Sequence, residues 1–305
     1  MSDRAASSAG YRVHHLNCAC IQRLSIHGRQ LACHCLLIET PASGLVLVDT
    51  GLGTCDFVDP ARRLGKMFTY VYANPRRDPS YAAVNQVRAL GFRPEDVRHI
   101  VMTHMDLDHV GGLADFPHAT VHLHATELKA ATERRSFKAR HRYLPVMWAH
   151  NPTFETYSEE GDPWMGFEAI RSLRGLPPDI LLIPLFGHTL GHCGVAVRDQ
   201  RGWLLHAGDA YFDPREVHGP RRRCAPLVGL FQACVQTRRG ERLRNQARLR
   251  ELTAAHPEIR VFSAHNPFEY LEAIGRPDPV GEAQSDRPGA RPLRGAIRSL
   301  ECAPR

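Results

Sequence analysis

The chain has 305 residues, of which 43% are hydrophobic, 39 are Lys or Arg and 32 are Asp or Glu, giving a formal net charge of +7. This apolar share can fill a hydrophobic core, which excludes wholesale disorder, and no uninterrupted apolar run approaches the roughly 20 residues needed to cross a bilayer. The first ten residues lack the apolar stretch of a secretory signal. We therefore expect a cytoplasmic protein with no membrane partner.

The chain alternates predicted strands with predicted helices in two similar halves. Periodicity and turn residues predict, in the first half, strands at residues 33–39, 44–49, 100–102 and 120–124 and helices at residues 80–90 and 126–139. The second half has predicted strands at residues 180–185, 194–197, 203–206 and 260–263 and a helix at residues 241–254. This alternation favours β-sheets packed on each other with helices outside.

One domain over residues 31–274 accounts for this pattern, with a lead-in over residues 1–30 and a Pro/Arg-rich tail over residues 275–305. Residues 134–167 are rich in aromatic residues and in helix and strand breakers, so they are predicted to form a long functional loop or lid inserted in that domain.

Two compositional features have alternative interpretations. Cys18/Cys20 and Cys33/Cys35 resemble metal-binding pairs, but no second pair stands at zinc-finger spacing, and nine cysteines favour reduced thiols over disulfides. All but three basic residues are Arg, spread over the whole chain, and part of them cluster between Arg215 and Arg250. A nucleic-acid surface is one interpretation. We favour a solvated helix face, because no aromatic residue is interleaved with the arginines from residue 238 to residue 250.

A dense polar cluster follows the predicted strand at residues 100–102. It contains four candidate metal ligands within six residues, namely His104, Asp106, Asp108 and His109. These groups would repel and desolvate one another in a turn unless a positive charge lay between them. A divalent metal ion supplies that charge, so the cluster predicts a metal site.

Further candidate ligands stand at the ends of other predicted elements, and these are His188, His192, Asp209 and His265. Each follows an apolar run, so all of them are expected to emerge at one edge of the packed sheets. His192 has two open interpretations, as a group that orients ligands or as a buried imidazole with satisfied hydrogen bonds.

The order and spacing of five motifs resemble those of the metallo-β-lactamase superfamily. The motifs are Asp49 in LVDTG, the residue 104–109 cluster, His188, Asp209 and His265. The resemblance covers residues 31 to 266 and implies an α/β fold, the four-layer αββα sandwich. The run from CHCLLIET at residues 33–40 to LGFRPED at residues 90–96 is most similar to the N-acyl-homoserine lactonase branch.

The resemblance also implies how the ligands divide between two divalent metal ions. His104, Asp106 and His188 would hold one ion, Asp108, His109 and His265 the other, and Asp209 would bridge them. Asp49 and His192 would orient ligands.

The common motif of the superfamily is His-x-His-x-Asp-His, and this chain has Asp106 in place of the second His. We expect zinc, with iron or manganese as alternatives, because a carboxylate is a harder ligand than imidazole. The flavodiiron branch has Glu at this position, but the chain has no flavodoxin-like extension.

The predicted activity is hydrolysis of a small ester or lactone by a metal-bound hydroxide. Asp108 is predicted to transfer a proton, and Tyr211 to donate a hydrogen bond to the oxyanion. The alternatives are a phosphodiesterase or thioester hydrolase of the same fold, or a di-iron redox protein motivated by Asp106. The expected partner is a small-molecule ester or lactone substrate, and nucleic acid is disfavoured.

Overall fold

The computed structural model describes residues 10–158, 161–170 and 173–276, and within these ranges it contains twelve β-strands and nine α-helices. The strands are β1 (Arg12–Ile26), β2 (Arg29–Thr40), β3 (Gly44–Val48), β4 (Val97–Val101), β5 (Thr120–His124), β6 (Thr153–Tyr157), β7 (Asp162–Trp164), β8 (Phe167–Ala169), β9 (Ile180–Pro184), β10 (Cys193–Asp199), β11 (Gly202–His206) and β12 (Arg260–Phe262). The helices are α1 (Thr54–Val58), α2 (Pro60–Arg63), α3 (Ala83–Ala89), α4 (Leu107–Val110), α5 (Ala125–Glu133), α6 (Phe137–Arg142), α7 (Pro226–Val235), α8 (Arg239–Ala255) and α9 (Pro267–Ala273).

The strands form two large sheets and one small hairpin. The first sheet has the order β1-β2-β3-β4-β5-β6, in which β1, β2 and β3 pair antiparallel and the later pairs are parallel. The second has the order β12-β11-β10-β9, with β11 and β12 parallel and the other pairs antiparallel. Strands β7 and β8 form the hairpin.

Side-chain alternation along the strands shows how the layers stack. In β9, Ile180 and Leu182 join the core cluster between the two sheets, together with Leu36 and Ile38 of β2. The intervening Leu181 and Ile183 join a second cluster that includes the buried face of α8. Because successive strand residues point to opposite faces, each sheet has one face on its partner and one face under helices. The expected αββα sandwich is confirmed.

Two predicted boundaries differ from the structure. Strand β1 lies inside the expected lead-in and pairs with β2 along most of its length, so the first sheet begins well before residue 31. The helix predicted at residues 126–139 is two helices, α5 and α6. The break is at Arg134, which has a left-handed conformation with φ of 47°, and the Ser136 side chain then caps α6.

The segment 134–167 is largely regular structure, not the loop or lid predicted from its composition. It contains α6, strand β6, strand β7 and the first residue of β8. Strand β6 pairs in parallel with β5 and completes the first sheet at its edge. The helix- and strand-breaking residues that suggested a loop therefore separate several short elements.

Helix α7 was not predicted, because its sequence PLVGLFQACV is apolar on most sides and so lacks helical periodicity. The helix predicted at residues 241–254 is confirmed as α8, although one of its arginines, Arg242, is buried against Gln232 and Gln236.

The described cysteines are free thiols, as expected, whereas Cys302 and nearly all of the tail predicted over residues 275–305 lie outside the described residues. Every helix in the described ranges is too short or too polar to span a membrane.

Candidate metal centre

The polar residues of interest follow the carboxyl ends of strands from both sheets. Asp49 comes directly after β3, His104 follows β4, Asp209 follows β11 and His265 follows β12. His188 and His192 lie in the connection from β9 to β10. Because the two sheets are stacked, these strand ends meet at one edge of the sandwich, as the alternation of apolar runs and polar residues predicted.

A first set of four ligand atoms converges at this edge. Asp106 Oδ2 lies 3.0 Å from His188 Nε2 and 3.5 Å from His104 Nε2. Asp209 Oδ2 lies 3.4 Å from His188 Nε2 and 3.9 Å from His104 Nε2. The structure thus brings together the four residues of the first set, His104, Asp106, His188 and Asp209.

A second set shares Asp209 but uses its other oxygen. Asp209 Oδ1 lies 3.4 Å from His109 Nε2 and 3.3 Å from His265 Nε2, and these two imidazole nitrogens are 3.2 Å apart. Asp108 Oδ2 is 3.4 Å from His265 Nε2. His109, His265 and Asp209 therefore converge as one triad, Asp108 approaches it at His265, and the Asp209 carboxylate is common to both sets.

These distances fit metal coordination. Ligands at about 2.0–2.1 Å from a tetrahedral zinc ion stand roughly 3.3–3.4 Å from one another, and the measured separations scatter around that value. His104 Nε2 and Asp209 Oδ1 are buried without a hydrogen-bond partner among the described residues, although both point into the centre. Buried polar atoms are normally paired, so their orientation indicates a cation between them. The residues present fit a divalent metal ion.

Hydrogen bonds at the far side of each ring aim three imidazoles at the centre. His109 Nδ1 bonds to Asp49 Oδ2 at 2.8 Å, and His265 Nδ1 bonds to the Ala32 carbonyl at 2.7 Å. His104 Nδ1 bonds to Thr103 Oγ1 at 2.9 Å. Each acceptor favours a proton on Nδ1, which leaves the Nε2 lone pair facing inward, as metal-binding histidines require.

Asp49 supports the centre from behind, as the sequence predicted. Its carboxylate accepts hydrogen bonds from the Thr103 amide at 2.8 Å, the Thr103 hydroxyl at 2.7 Å and His109. Its backbone has φ of 55°, a conformation that Asp adopts more readily than most residues. Asp49 therefore fixes both the loop that carries His104 and the ring of His109.

His192 combines the two interpretations left open by the sequence, because it is a buried imidazole with satisfied hydrogen bonds and one of these bonds holds the Asp209 backbone. Its Nδ1 donates to the Leu185 carbonyl at 2.9 Å, and its Nε2 accepts from the Asp209 amide at 2.8 Å. Burial first, and then the neighbouring His104 and His188, lower the pKa of His192 well below its usual value, so the ring is neutral. Gly208 has φ of 54°, and a Cβ there would lie 2.5 Å from His192 Nε2, so only glycine fits beside the ring.

Buried charged groups at the centre shift one another's pKa values. Burial acts to raise the pKa of Asp209, but the surrounding His265, His109 and His188 hold it well below its usual range. Burial acts to lower the pKa of His265, but the carboxylates of Asp209 and Asp108 raise it to about 10. In the metal-free protein, protons on imidazoles thus balance the carboxylates, and bound metal ions would displace those protons.

Two residues beside the centre were not predicted from the sequence. Arg142 of α6 places its Nε 3.0 Å from Asp106 Oδ1. Glu127 of α5 is fully buried and accepts four hydrogen bonds, three from the loops that carry the ligands and one from the hydroxyl of Tyr143. The one sequence signal for Arg142 was Asp106 itself, since an additional buried carboxylate is normally paired with a cation.

Tyr211 does not point at the centre, contrary to the role predicted for it. Its ring is fully buried in the cluster under α8, and its hydroxyl donates to Glu269 Oε1 at 2.9 Å. The next residue, Phe212, stacks on His265 with ring centroids 5.2 Å apart. Counting residues from Asp209 could not distinguish these two aromatic residues, because adjacent side chains leave a loop in different directions.

The centre opens to solvent on its carboxylate side. The side chains of Asp106 and Asp108 are 16% and 11% exposed, whereas those of His104, His188 and His265 are at most 3% exposed. A substrate would therefore reach the centre past these two aspartates.

Comparison with known proteins identifies relatives over most of the chain. A family model described as "Metallo-beta-lactamase superfamily" matches residues 28–265. The "Probable metallo-hydrolase Rv2300c" of Mycobacterium tuberculosis is 40% identical over 260 residues, which cover 85% of this chain and 81% of that protein. The "N-acyl homoserine lactonase AttM" of Rhizobium radiobacter is 33% identical over 235 residues, which cover 75% of this chain and 80% of that protein.

Solved structures share the fold at lower identity. An N-acyl homoserine lactone hydrolase, whose structure holds the product N-hexanoyl-L-homoserine at its catalytic metal centre, matches with a TM-score of 0.63 and 20% identity. The match covers 85% of this chain and 94% of that one.

Proposed function

The chain belongs to the metallo-beta-lactamase superfamily and is a metallo-hydrolase, and we propose that it opens a small ester or lactone at a centre that holds two metal ions. The observation that carries this proposal is the division of the Asp209 carboxylate. Its Oδ2 faces the imidazoles of His104 and His188, and its Oδ1 faces those of His109 and His265. One carboxylate shared in this way supports two adjacent ions rather than one.

The ligand chemistry supports zinc. In each set two imidazole nitrogens and an oxygen of Asp209 lie together, and both kinds of atom are usual zinc ligands. The carboxylate of Asp106 in the first set keeps iron and manganese as alternatives.

The protein's own groups would direct the reaction. Divalent ions held by the two sets would supply an activated water and a Lewis acid for the carbonyl oxygen. Asp108 lies at the solvent-facing side of the second set, where its carboxylate can take a proton from the attacking water and return it to the leaving alkoxide. The buried imidazoles and Asp49 hold the ligands rigid, so little reorganisation is needed during the reaction.

The relatives suggest the substrate class. Helix α6 contacts the first set through Arg142, and Phe231 of helix α7 packs on Phe212 beside the second set. The relatives named as lactonases support a lactone with an acyl chain.

The test is a substrate panel on chelated and on metal-reloaded protein. Lactones, aryl esters, thioesters and bis(p-nitrophenyl) phosphate are compared by kcat/KM with a pH indicator or a chromogenic product. We expect lactones or esters to be preferred, and expect Asp108→Asn to lower kcat/KM on the order of 10²–10³-fold. Asp96→Asn is the matched control, because that aspartate is exposed and pairs only locally with Arg93.

Two outcomes would contradict the proposal. A fully metal-loaded protein that hydrolyses no lactone, ester or thioester would exclude it. Higher activity on the phosphodiester than on any lactone would replace it with the phosphodiesterase alternative.

A further inference from the structure

Arg142 is a buried cation next to the first set. Its side chain is 10% exposed, and its Nε lies 3.0 Å from Asp106 Oδ1. The other oxygen of the same carboxylate, Oδ2, faces the imidazoles of His188 and His104. Asp106 therefore stands between a fixed cation and the position that a metal ion would take.

Groups other than Asp106 also hold the guanidinium in place. Its Nη2 donates to the Val235 carbonyl at 2.5 Å, and its Nη1 donates to the His188 carbonyl at 3.0 Å and to Thr237 Oγ1 at 3.1 Å. Lys138, one turn earlier in α6, donates to the Cys234 carbonyl at 2.8 Å. These carbonyls of residues 234 and 235 end helix α7, where cations are favoured.

The contact between Arg142 and Asp106 is mainly one of charge. Asp106 Oδ1 has no hydrogen bond of good geometry among the described residues, despite the short distance to Arg142 Nε. The guanidinium hydrogen bonds are made instead to the α7 carbonyl, to His188 and to Thr237. Arg142 is thus built into the scaffold and presents its charge to the carboxylate.

We propose that Arg142 is a positioning residue that acts as a fixed counter-charge to Asp106 and thereby weakens the attraction of the first set for a divalent ion. This inference rests on the proposed metal centre. Asp106 adds a third carboxylate to those of Asp108 and Asp209, and a neighbouring cation cancels that added charge. The cation stabilises the metal-free protein and repels the bound ion, so it lowers the affinity that three carboxylates would otherwise give.

Two substitutions separate charge from hydrogen bonding. Arg142→Gln and Arg142→Lys both remove the guanidinium and its contacts to the scaffold, but only the lysine variant keeps the positive charge. Arg140→Gln is the matched control, because Arg140 is an exposed arginine in the same helix. The measurements are zinc equivalents by elemental analysis after equilibration with graded EDTA, and the rise in melting temperature on zinc loading.

The expected result is a change in zinc retention that follows charge. Arg142→Gln should keep its zinc to about tenfold higher EDTA than the unmodified protein, because the repelling charge is gone. Its metal-free form should melt lower, so zinc loading should raise its melting temperature by more. Arg142→Lys and Arg140→Gln should retain zinc like the unmodified protein.

The proposal would be overturned if Arg142→Gln lost its zinc at the same or a lower EDTA concentration than the unmodified protein. If Arg142→Lys lost zinc in the same way, Arg142 would act through its hydrogen bonds to the scaffold and not through its charge. If Arg142→Gln fails to fold, Asp106→Asn is compared with Asp106→Asn/Arg142→Gln. Asp106→Asn leaves the cation unpaired, so the double variant should retain more zinc, and equal retention would overturn the proposal. These readouts need no hydrolysis, so absence of esterase activity would contradict the proposed function alone.

Discussion

Replacement of Glu127 should uncouple the two loops that carry the first set. Its Oε1 accepts from the Met105 amide at 3.0 Å and the Tyr143 hydroxyl at 3.1 Å. Its Oε2 accepts from Thr189 Oγ1 at 2.7 Å and the Gly191 amide at 3.0 Å. One fully buried carboxylate therefore joins the loop after β4, the start of the segment after α6 and the loop between β9 and β10.

The magnitude follows from the number of donors left without an acceptor. Glu127→Gln replaces one accepting oxygen with an NH2 group that faces two donors, and each unsatisfied buried group costs about 1–3 kcal/mol. We therefore expect a loss of about 2–6 kcal/mol in the free energy of unfolding. Glu127→Ala removes all four acceptor interactions and should cost more. No amide side chain can accept all four bonds, so repacking cannot restore the lost interactions.

The assay is urea unfolding of the metal-free protein, followed by zinc retention of the folded variant against EDTA. Glu133→Gln is the control, because Glu133 is an exposed residue at the end of the same helix and its loss should change stability by at most about 0.5 kcal/mol. We expect Glu127→Gln to retain zinc less well than this control. A Glu127→Gln protein as stable as the control, with unchanged zinc retention, would refute the reasoning.

Three further predictions concern Tyr211, Asp209 and Asp213. Tyr211→Phe should lower the free energy of unfolding by about 1 kcal/mol, because the hydrogen bond to Glu269 is lost. Its kcat/KM should stay unchanged within about twofold. A larger loss of kcat/KM would support the predicted hydrogen bond from Tyr211 to the oxyanion. Asp209→Asn should lose both metal equivalents in elemental analysis, and retention of one would show that the carboxylate is not shared. Burial acts to raise the pKa of Asp213, but hydrogen bonds from Arg215 and other neighbours lower it. The ionised Asp213 carboxylate therefore stabilises the folded protein at pH values above its unfolded pKa. This contribution to the free energy of unfolding is lost as the pH falls through the folded pKa. In metal-free protein, Asp213→Asn should therefore flatten the fall of melting temperature between about pH 5 and pH 3, and an unchanged slope would contradict this assignment.

The sequence predicted the centre better than it predicted the framework beside it. His104, Asp108, His188 and Asp209 could be identified because ligands at strand ends are forced to converge by the stacking of the sheets. The stacked sheets with helices outside followed from the alternation of strands and helices, and the four αββα layers followed from the resemblance to the superfamily. These features are set by local pattern, and local pattern is visible in a single sequence.

The missed features depend on contacts between distant parts of the chain. Arg142 reaches Asp106 across 36 positions, and no local periodicity marks it among the many arginines. Tyr211 was assigned to the oxyanion by its distance in sequence from Asp209, whereas the packing of Glu269 decides where its hydroxyl points. Helix α7 has too uniform an apolar sequence to show a helical period.

Anomalous scattering from crystals of the zinc-loaded protein tests the central claim most directly. Two anomalous peaks are expected, one on each side of the Asp209 carboxylate. One peak should lie among the Nε2 atoms of His104 and His188 and an oxygen of Asp106, and the other should lie between His109 and His265. A single peak, or two peaks that do not share Asp209, would contradict the central claim.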